Sequence, residues 1–288
     1  MKQRLAFAAL LLIASLPLVM AQGTYTQIDV PGAIATYPWG IGSNGDVVGA
    51  YVDTQYAYHG FLLTGGTYTT IDFPGGALTT ATGVNSRGQI VGFYEPSGNS
   101  PLAGFFMDTT GFTPVEYPGA SQSELGGIND EGVAVGFFSA ASGFTTGFKW
   151  SADSFTEIQI PPGANAAYVF GINNLGDIVG YATRSIGDEN FLLTDKGKVV
   201  PITFPDAQDL TAYTVNDSRA VVGIYEKGPE LVGFVLKGHT VTSLSFPDST
   251  QTNAVGINNS GEVVGSFKDS GGDWHGFTWT PPAADEKK

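Results

Sequence analysis

The sequence predicts an all-β fold, a six-bladed β-propeller of four-stranded antiparallel blades closed by the N-terminal strand joining the last blade. Three observations predict it. A hairpin signature recurs six times, a Gly-Phe pair recurs in the same phase, and a proline ends the outermost strand of every unit.

The hairpin reads most plainly in Gly171 to Gly180, where two short apolar runs are reversed by Asn173-Asn174-Leu175-Gly176. Other copies run from Gly40 to Gly49, Gly83 to Gly92, Gly127 to Gly136, Thr214 to Gly223 and Gly256 to Gly265. The closing glycines Gly49, Gly92, Gly136, Gly180, Gly223 and Gly265 stand 43, 44, 44, 43 and 42 residues apart. A period of that size marks a repeat architecture. Asn85, Asn129, Asn173, Asn216 and Asn258 are read as turn formers, their amides capping a turn whose positive-φ position falls to Gly88, Gly132, Gly176 and Gly261. Two copies depart from the pattern: Gly42 replaces the asparagine in the first unit, and Arg219 replaces the turn glycine in the fifth, where a strained or altered turn is expected.

The second signature is Phe61, Phe105, Phe148, Phe191, Phe234 and Phe277, spaced 44, 43, 43, 43 and 43 residues apart and preceded by glycine except at Asn190. A large ring beside a residue without a side chain predicts that the ring fills space between sheets while another backbone comes close. The third is Pro31, Pro74, Pro118, Pro161, Pro205 and Pro247. Proline cannot donate to a ladder, so it belongs at a strand end.

Cut in one phase, the units are 25–67, 68–111, 112–154, 155–198, 199–240 and 241–280, with no linker between them. Each holds four β-like runs and leaves no room for a helix. About 43 residues with four strands is the pattern of a propeller blade, where a solenoid coil needs fewer residues and terminal caps. The first unit opens with an outer strand, Tyr25 to Val30, and the last ends after its third, Trp274 to Thr280. Pairing these two runs would complete the last blade and latch the ring.

Residues 1–21 read as a signal peptide: Lys2 and Arg4, an apolar run from Leu5 to Val19, then Val19-Met20-Ala21. The run is shorter than the roughly 20 residues a membrane span needs. The domain then covers 22–280, and 281–288 is a polar tail expected to fray. The expected location is secreted, extracellular or periplasmic, without membrane insertion after the leader is removed. With no cysteine, disulfides are excluded. The 27 acidic and 13 basic residues give a net charge of −14, or −16 without Lys2 and Arg4, which disfavours nucleic acid and anionic membranes as partners.

The pattern apolar-Asn-x-x-Gly-x-Ile/Val-Val-Gly followed by His59-Gly60-Phe61 or His275-Gly276-Phe277 resembles the bacterial extracellular repeats called HAF repeats. The resemblance covers all six units. Glycine here usually stands where that motif has alanine, and Ala103, Thr146, Glu189 and Val232 replace the histidine in four units. It implies export and a propeller-like fold, and it brings no established reaction.

No nucleophile, zinc, phosphate-loop or calcium-loop motif is present. No catalytic or metal residue is expected, and no cofactor, calcium being the one ion the acidic composition would suit. His239 falls in an expected turn. Candidate ligand-binding residues lie on the longer connections of one face: Tyr37, Trp39, Tyr56, Tyr58 and Trp274, with His59 and His275 at one repeat position. Tyr168 and Tyr213 join them, as do the carboxylates Asp53, Glu95, Glu124, Asp188, Glu189, Asp206, Asp209, Glu226, Glu230, Asp269 and Asp273. Flat rings beside carboxylates suit sugar faces and hydroxyls. The leading reading is a secreted, non-enzymatic scaffold that binds an extracellular polysaccharide or protein. The alternatives are a hydrolase or lyase of a sugar or lactone at the axial channel, and a structural component of the cell envelope.

Overall fold

The computed structural model describes residues 23–159, 163–185, 187–205 and 207–282. The expected leader over 1–21, Pro161, Asp206 and residues 283–288 of the tail lie outside the described residues.

Among the described residues there are 24 β-strands and no helix. After β1 (Thr24–Ile28) come β2 (Ala35–Ile41), β3 (Val47–Val52), β4 (Tyr58–Thr64) and β5 (Thr67–Ile71), which form one four-stranded antiparallel sheet in chain order. The same meander builds β6 (Leu78–Val84), β7 (Ile90–Glu95), β8 (Ala103–Asp108) and β9 (Gly111–Val115) into a second sheet. A third holds β10 (Ala120–Ile128), β11 (Ala134–Ala140), β12 (Thr145–Ser151) and β13 (Ser154–Glu157). A fourth holds β14 (Ala166–Ile172), β15 (Ile178–Thr183), β16 (Glu189–Leu193) and β17 (Val199–Pro201). These are propeller blades.

The remaining strands are β18 (Gln208–Val215), β19 (Val221–Lys227), β20 (Glu230–Lys237), β21 (Thr240–Leu244), β22 (Gln251–Ile257), β23 (Val263–Lys268) and β24 (Trp274–Thr280). With β1 they form one eight-stranded sheet, so the expected six separate sheets appear as four and a double-width one. Its halves, β18 to β21 and β22 to β24 with β1, are each antiparallel and touch through the single parallel pair Leu231 and Gln251.

The termini meet as the phase of the repeats requires. Strand β1 pairs with β24 from Thr24 opposite Thr280 to Ile28 opposite Gly276, starting and stopping slightly before the expected Tyr25 to Val30. Gly276 is needed there, since a Cβ at this position would lie 2.4 Å from the Ile28 carbonyl oxygen. The six phenylalanines of the Gly-Phe signature are all at most 1% exposed, as core residues should be. In the fourth repeat Asn190 replaces the glycine, and its buried amide donates to the Leu210 carbonyl at 2.6 Å and accepts from Ala212 N–H at 2.9 Å. A polar bridge to the next inner strand thus stands where the other repeats have only close packing.

The hairpin asparagines do two jobs. Asn216 Oδ1 accepts from the N–H of Ser218 at 3.1 Å and of Ala220 at 3.0 Å, which closes its own turn. Its Nδ2 reaches the next repeat and donates to the Asn258 carbonyl at 3.0 Å. The same relay runs from Asn85 to Asn129 at 2.9 Å, Asn129 to Asn173 at 3.3 Å and Asn173 to Asn216 at 3.0 Å. From Asn258 it returns to the Gly42 carbonyl at 3.4 Å. The five asparagines are buried, so each amide replaces water with a partner that only the neighbouring repeat provides.

Arg219 keeps the expected positive φ, 59°, yet its turn is not altered: Arg219 N–H bonds the Asn216 carbonyl at 2.8 Å, as Gly88 N–H bonds Asn85 at 3.0 Å. The strain is offset across the repeat boundary, where its guanidinium grips the buried Asp177 at 2.7 and 3.2 Å. Burial raises the Asp177 carboxyl, but the hydrogen bonds of Arg219 and Asn173 hold it below the usual carboxylate range.

The relay has one missing link, because Gly42 carries no amide to offer the Asn85 carbonyl. A Cβ at Gly42 would come within 2.9 Å only of Asn44 Oδ1, the end of an exposed side chain that can rotate away. Gly42→Asn is therefore expected to complete the ring and stabilise the fold by about 1 kcal/mol, raising the melting temperature by roughly 2–4 °C. An unchanged or lower melting temperature would show that the relay does not carry stability.

Candidate functional site

Alternation along the inner strands sets the site. In β2, Thr36, Pro38 and Gly40 are buried while Tyr37, Trp39 and Ile41 remain half-buried, the period of a strand with one face in the core and the other on an open passage. At one end of the passage all six repeats enclose about 70 Å³, four of them through their turn asparagines Asn129, Asn173, Asn216 and Asn258, with Asp130, Asn174, Asp217 and Asn259 around the opening. Their side chains interlock: Asn174 Nδ2 donates to Asp130 at 2.9 Å and Asp217 at 3.1 Å, and Asn259 Nδ2 to Asp217 at 2.7 Å. A glycine-rich waist of about 80 Å³ follows, lined by Gly40, Gly83, Gly127, Gly171 and Gly256.

Above the waist the passage opens into a mouth of about 440 Å³. Each repeat contributes the residue two places before the last of its inner strand: Trp39, Thr82, Gly126, Phe170, Tyr213 and Val255. The neighbouring strands add Phe93, Phe137 and Tyr181, each directly after a closing glycine. The rings form a continuous wall. Trp39 meets Tyr213 edge-on at 6.3 Å, Tyr213 meets Phe170 at 5.6 Å, and Phe170 meets Tyr181 at 5.8 Å and Phe137 at 6.2 Å. Tyr168 stacks on Tyr181 at 4.8 Å.

Two carboxylates face this wall, Glu124 from β10 and Asp188 from the connection between β15 and β16. Burial pushes the Glu124 carboxyl up, and the hydrogen bond from the Gln122 amide only partly opposes it. The Tyr181 hydroxyl is pushed up to about 12 by burial first, then by Tyr168, Asp188 and Tyr213. Burial likewise raises Tyr213. Both phenols are therefore neutral donors at physiological pH.

No protein-family model matches the chain, and no curated protein matches it significantly. Its fold is shared with solved structures. A triple arginine mutant of AofleA from Arthrobotrys oligospora superposes with a TM-score of 0.57 at 12% identity, over 89% of this chain and 86% of that one. The fucose-specific lectin from Aleuria aurantia gives 0.52 at 12%, over 88% and 96%. Virginiamycin B lyase from Staphylococcus aureus gives 0.50 at 11%, over 88% of each chain. At such identities the likeness is one of fold.

Of the residues singled out in the sequence, Trp39, Tyr213, Glu124 and Asp188 meet in the mouth. Tyr37 packs against Trp274 at 5.9 Å, across the junction between the first repeat and the last strand. Burial and the nearby Tyr58 raise its hydroxyl pKa. Lys268 lies over the Trp274 ring at 5.8 Å. Tyr56 is 78% exposed, at φ 65° on the connection from β3 to β4. The sequence reading passed over Phe93, Phe137, Phe170 and Tyr181. Their phase relative to the repeated glycines was the available signal.

His59 and His275 are held within their own sheets. His59 Nδ1 bonds Asp72 at 2.9 Å and Nε2 meets Asp53 at 3.3 Å, with the ring stacked on Tyr51 at 5.0 Å. His275 Nδ1 bonds Asp29 at 2.9 Å and Nε2 faces Asp269 at 3.7 Å, with the ring on Phe267 at 5.2 Å. Carboxylates on opposite ring nitrogens cannot face one ion. Among the described residues no three His, Asp or Glu side chains gather to hold a metal. Asp29 directly follows β1, so this second clamp fastens the N-terminal strand to β24.

Burial alone would lower the His59 pKa, but the hydrogen bonds and charges of Asp72 and Asp53 more than reverse this. Asp53 is held below the usual range by the Ala57 N–H first, against the effect of desolvation, with help from Gln55 and His59. The His59 contribution is therefore complete below its unfolded pKa of about 6.5 and fades as pH rises through the raised folded value. The Asp53 contribution is present above about 4 and lost as pH falls through its lowered value. His59→Gln should narrow the gap in melting temperature between mildly acidic and mildly alkaline buffer. A gap identical to wild type would show that the clamp does not titrate with stability.

Proposed function

We propose that this chain is an exported, non-enzymatic six-bladed β-propeller that binds an extracellular glycan at the wide axial mouth and the aromatic surface beside it. On this reading the double-width sheet is two blades bridged at Leu231 and Gln251. The observation that carries the reading is the mouth itself, a cavity of about 440 Å³ walled by aromatic rings from several repeats, with neutral tyrosine hydroxyls and two carboxylates among them. Apolar ring faces with a few convergent polar groups suit pyranose rings and their hydroxyls. The shared fold of a fucose-specific lectin supports a binding role. A cavity of this size also speaks against a purely structural envelope component.

A second reading draws on the same cavity. Glu124, with its raised carboxyl pKa, and Asp188 are two carboxylates in unlike environments, which a hydrolase or lyase of a sugar or lactone would need. Among the described residues no histidine lines the mouth to serve as a further acid or base.

The test is retention on a panel of polysaccharides. Trp39→Ala is expected to weaken binding about tenfold, the effect of roughly 1.4 kcal/mol, while Tyr58→Ala at the start of β4, outside the mouth, has a smaller effect. Equal retention of wild type and Trp39→Ala would remove the mouth as the site, and release of reducing sugar lost in Glu124→Gln would favour the enzyme.

A further inference from the structure

We infer that the part of the ligand seated in the mouth carries a positive charge, so that the glycan bound there is an amino sugar with a free ammonium group. The inference rests on the glycan reading above and names the chemistry of its ligand.

The charge of the walls points one way. Glu124 and Asp188 line the cavity, and among the described residues no lysine, arginine or histidine does. Glu124 is half-buried and receives a hydrogen bond from the neutral Gln122 amide, which lies next to it on the same strand. A carboxylate drawn out of water beside apolar rings is unfavourable until an opposite charge joins it. A neutral sugar would leave that charge uncompensated, and an anionic one would add repulsion.

The rings point the same way. The faces of Trp39, Phe170 and Tyr213 carry the negative side of their quadrupoles, which attracts ammonium groups, and enclosure strengthens the attraction. Their hydroxyl and indole groups leave no positive charge to oppose it. The whole-chain charge of −14 draws cations toward the protein and repels anions.

Two sources could present this chemistry, a free amino sugar in a polysaccharide or a quaternary ammonium headgroup. The mouth opens on the face of the longer connections, with Asp188 on one of them, so a chain of sugars can continue outward from it. That favours the polysaccharide.

The experiment titrates the full exported chain with a tetramer of glucosamine, its N-acetylated counterpart and choline, following tryptophan fluorescence and heat. The glucosamine tetramer is expected to bind at least tenfold more tightly than the N-acetylated one. Glu124→Gln should abolish that preference with an unchanged melting temperature, and Asp188→Asn, at an exposed position, should reduce it. Because only ionised Glu124 pairs with ammonium, wild-type affinity for the glucosamine tetramer should fall as pH drops through the raised Glu124 pKa, and this dependence should vanish in Glu124→Gln. Equal or tighter binding of the N-acetylated tetramer overturns the charge assignment and leaves the mouth as a glycan site. Binding of choline with exclusion of both tetramers overturns the amino-sugar source and the glycan reading together. No binding of any of the three overturns the amino-sugar assignment, and retention on the polysaccharide panel then decides the glycan reading separately.

Discussion

The asparagine amide that closes one hairpin and then donates to the next is the contact on which the architecture depends. A β-turn can be capped by any short polar side chain, but asparagine has both an acceptor for its own backbone and a donor left over. In each complete copy that donor finds a carbonyl one repeat away, as from Asn173 to Asn216 at 3.0 Å. The local device and the ring are therefore one set of hydrogen bonds. Since these amides are buried, opening the ring would leave polar groups unpaired, so closure is favoured beyond what sheet packing supplies.

The chain ends are treated with the same economy. Strand β1 fills the outer position of the last meander, and Asp29 just beyond it is taken by both His275 Nδ1 at 2.9 Å and Gly276 N–H at 3.2 Å. The equivalent clamp in the first repeat joins His59 to Asp53 and Asp72. Histidine occurs at this repeat position only in these two repeats, the two with an aspartate on either side. At the same position in the fourth repeat Glu189 pairs instead with Arg184. A residue pattern that looks like a worn motif is thus a choice of local partner.

Much of this was legible in the sequence because a repeat of about 43 residues prints each structural role six times. The phenylalanines, the turn glycines, the strand-ending prolines and the pairing of the termini all follow from phase. What was not legible depends on contacts between unlike positions. Nothing near Arg219 in sequence announces Asp177, 42 residues away, as the partner that accommodates its left-handed backbone. Asn190 breaks the Gly-Phe pair without any sign that its amide will bridge to Leu210 and Ala212. The single parallel contact of Leu231 with Gln251 has no counterpart in the repeats before it. The mouth lies between these cases. Trp39 and Tyr213 are among the aromatic candidates the sequence places on the longer connections, and the structure sets both on inner strands, β2 and β18, whereas Phe93, Phe137 and Tyr181 carry no such mark in the sequence and line the cavity with them.

Function follows from where the repetition is broken. The narrow end is built from near-identical turns and interlocked amides, whereas at the wide end the equivalent positions differ, as Trp39, Thr82, Gly126, Phe170, Tyr213 and Val255. The mouth depends on the ring being closed, since Trp39 of the first repeat meets Tyr213 of the fifth at 6.3 Å and Val255 of the last repeat lines the same wall. The most direct measurement is a cross-link at the seam, where Thr26 faces Thr278 in a chain with no cysteine of its own. A Thr26→Cys, Thr278→Cys double variant, with directly opposed strand positions within about 5.5 Å, should form an intramolecular disulfide on mild oxidation and gain melting temperature. Free thiols after oxidation, or linkage only between separate chains, would contradict the closed ring and the mouth that depends on it.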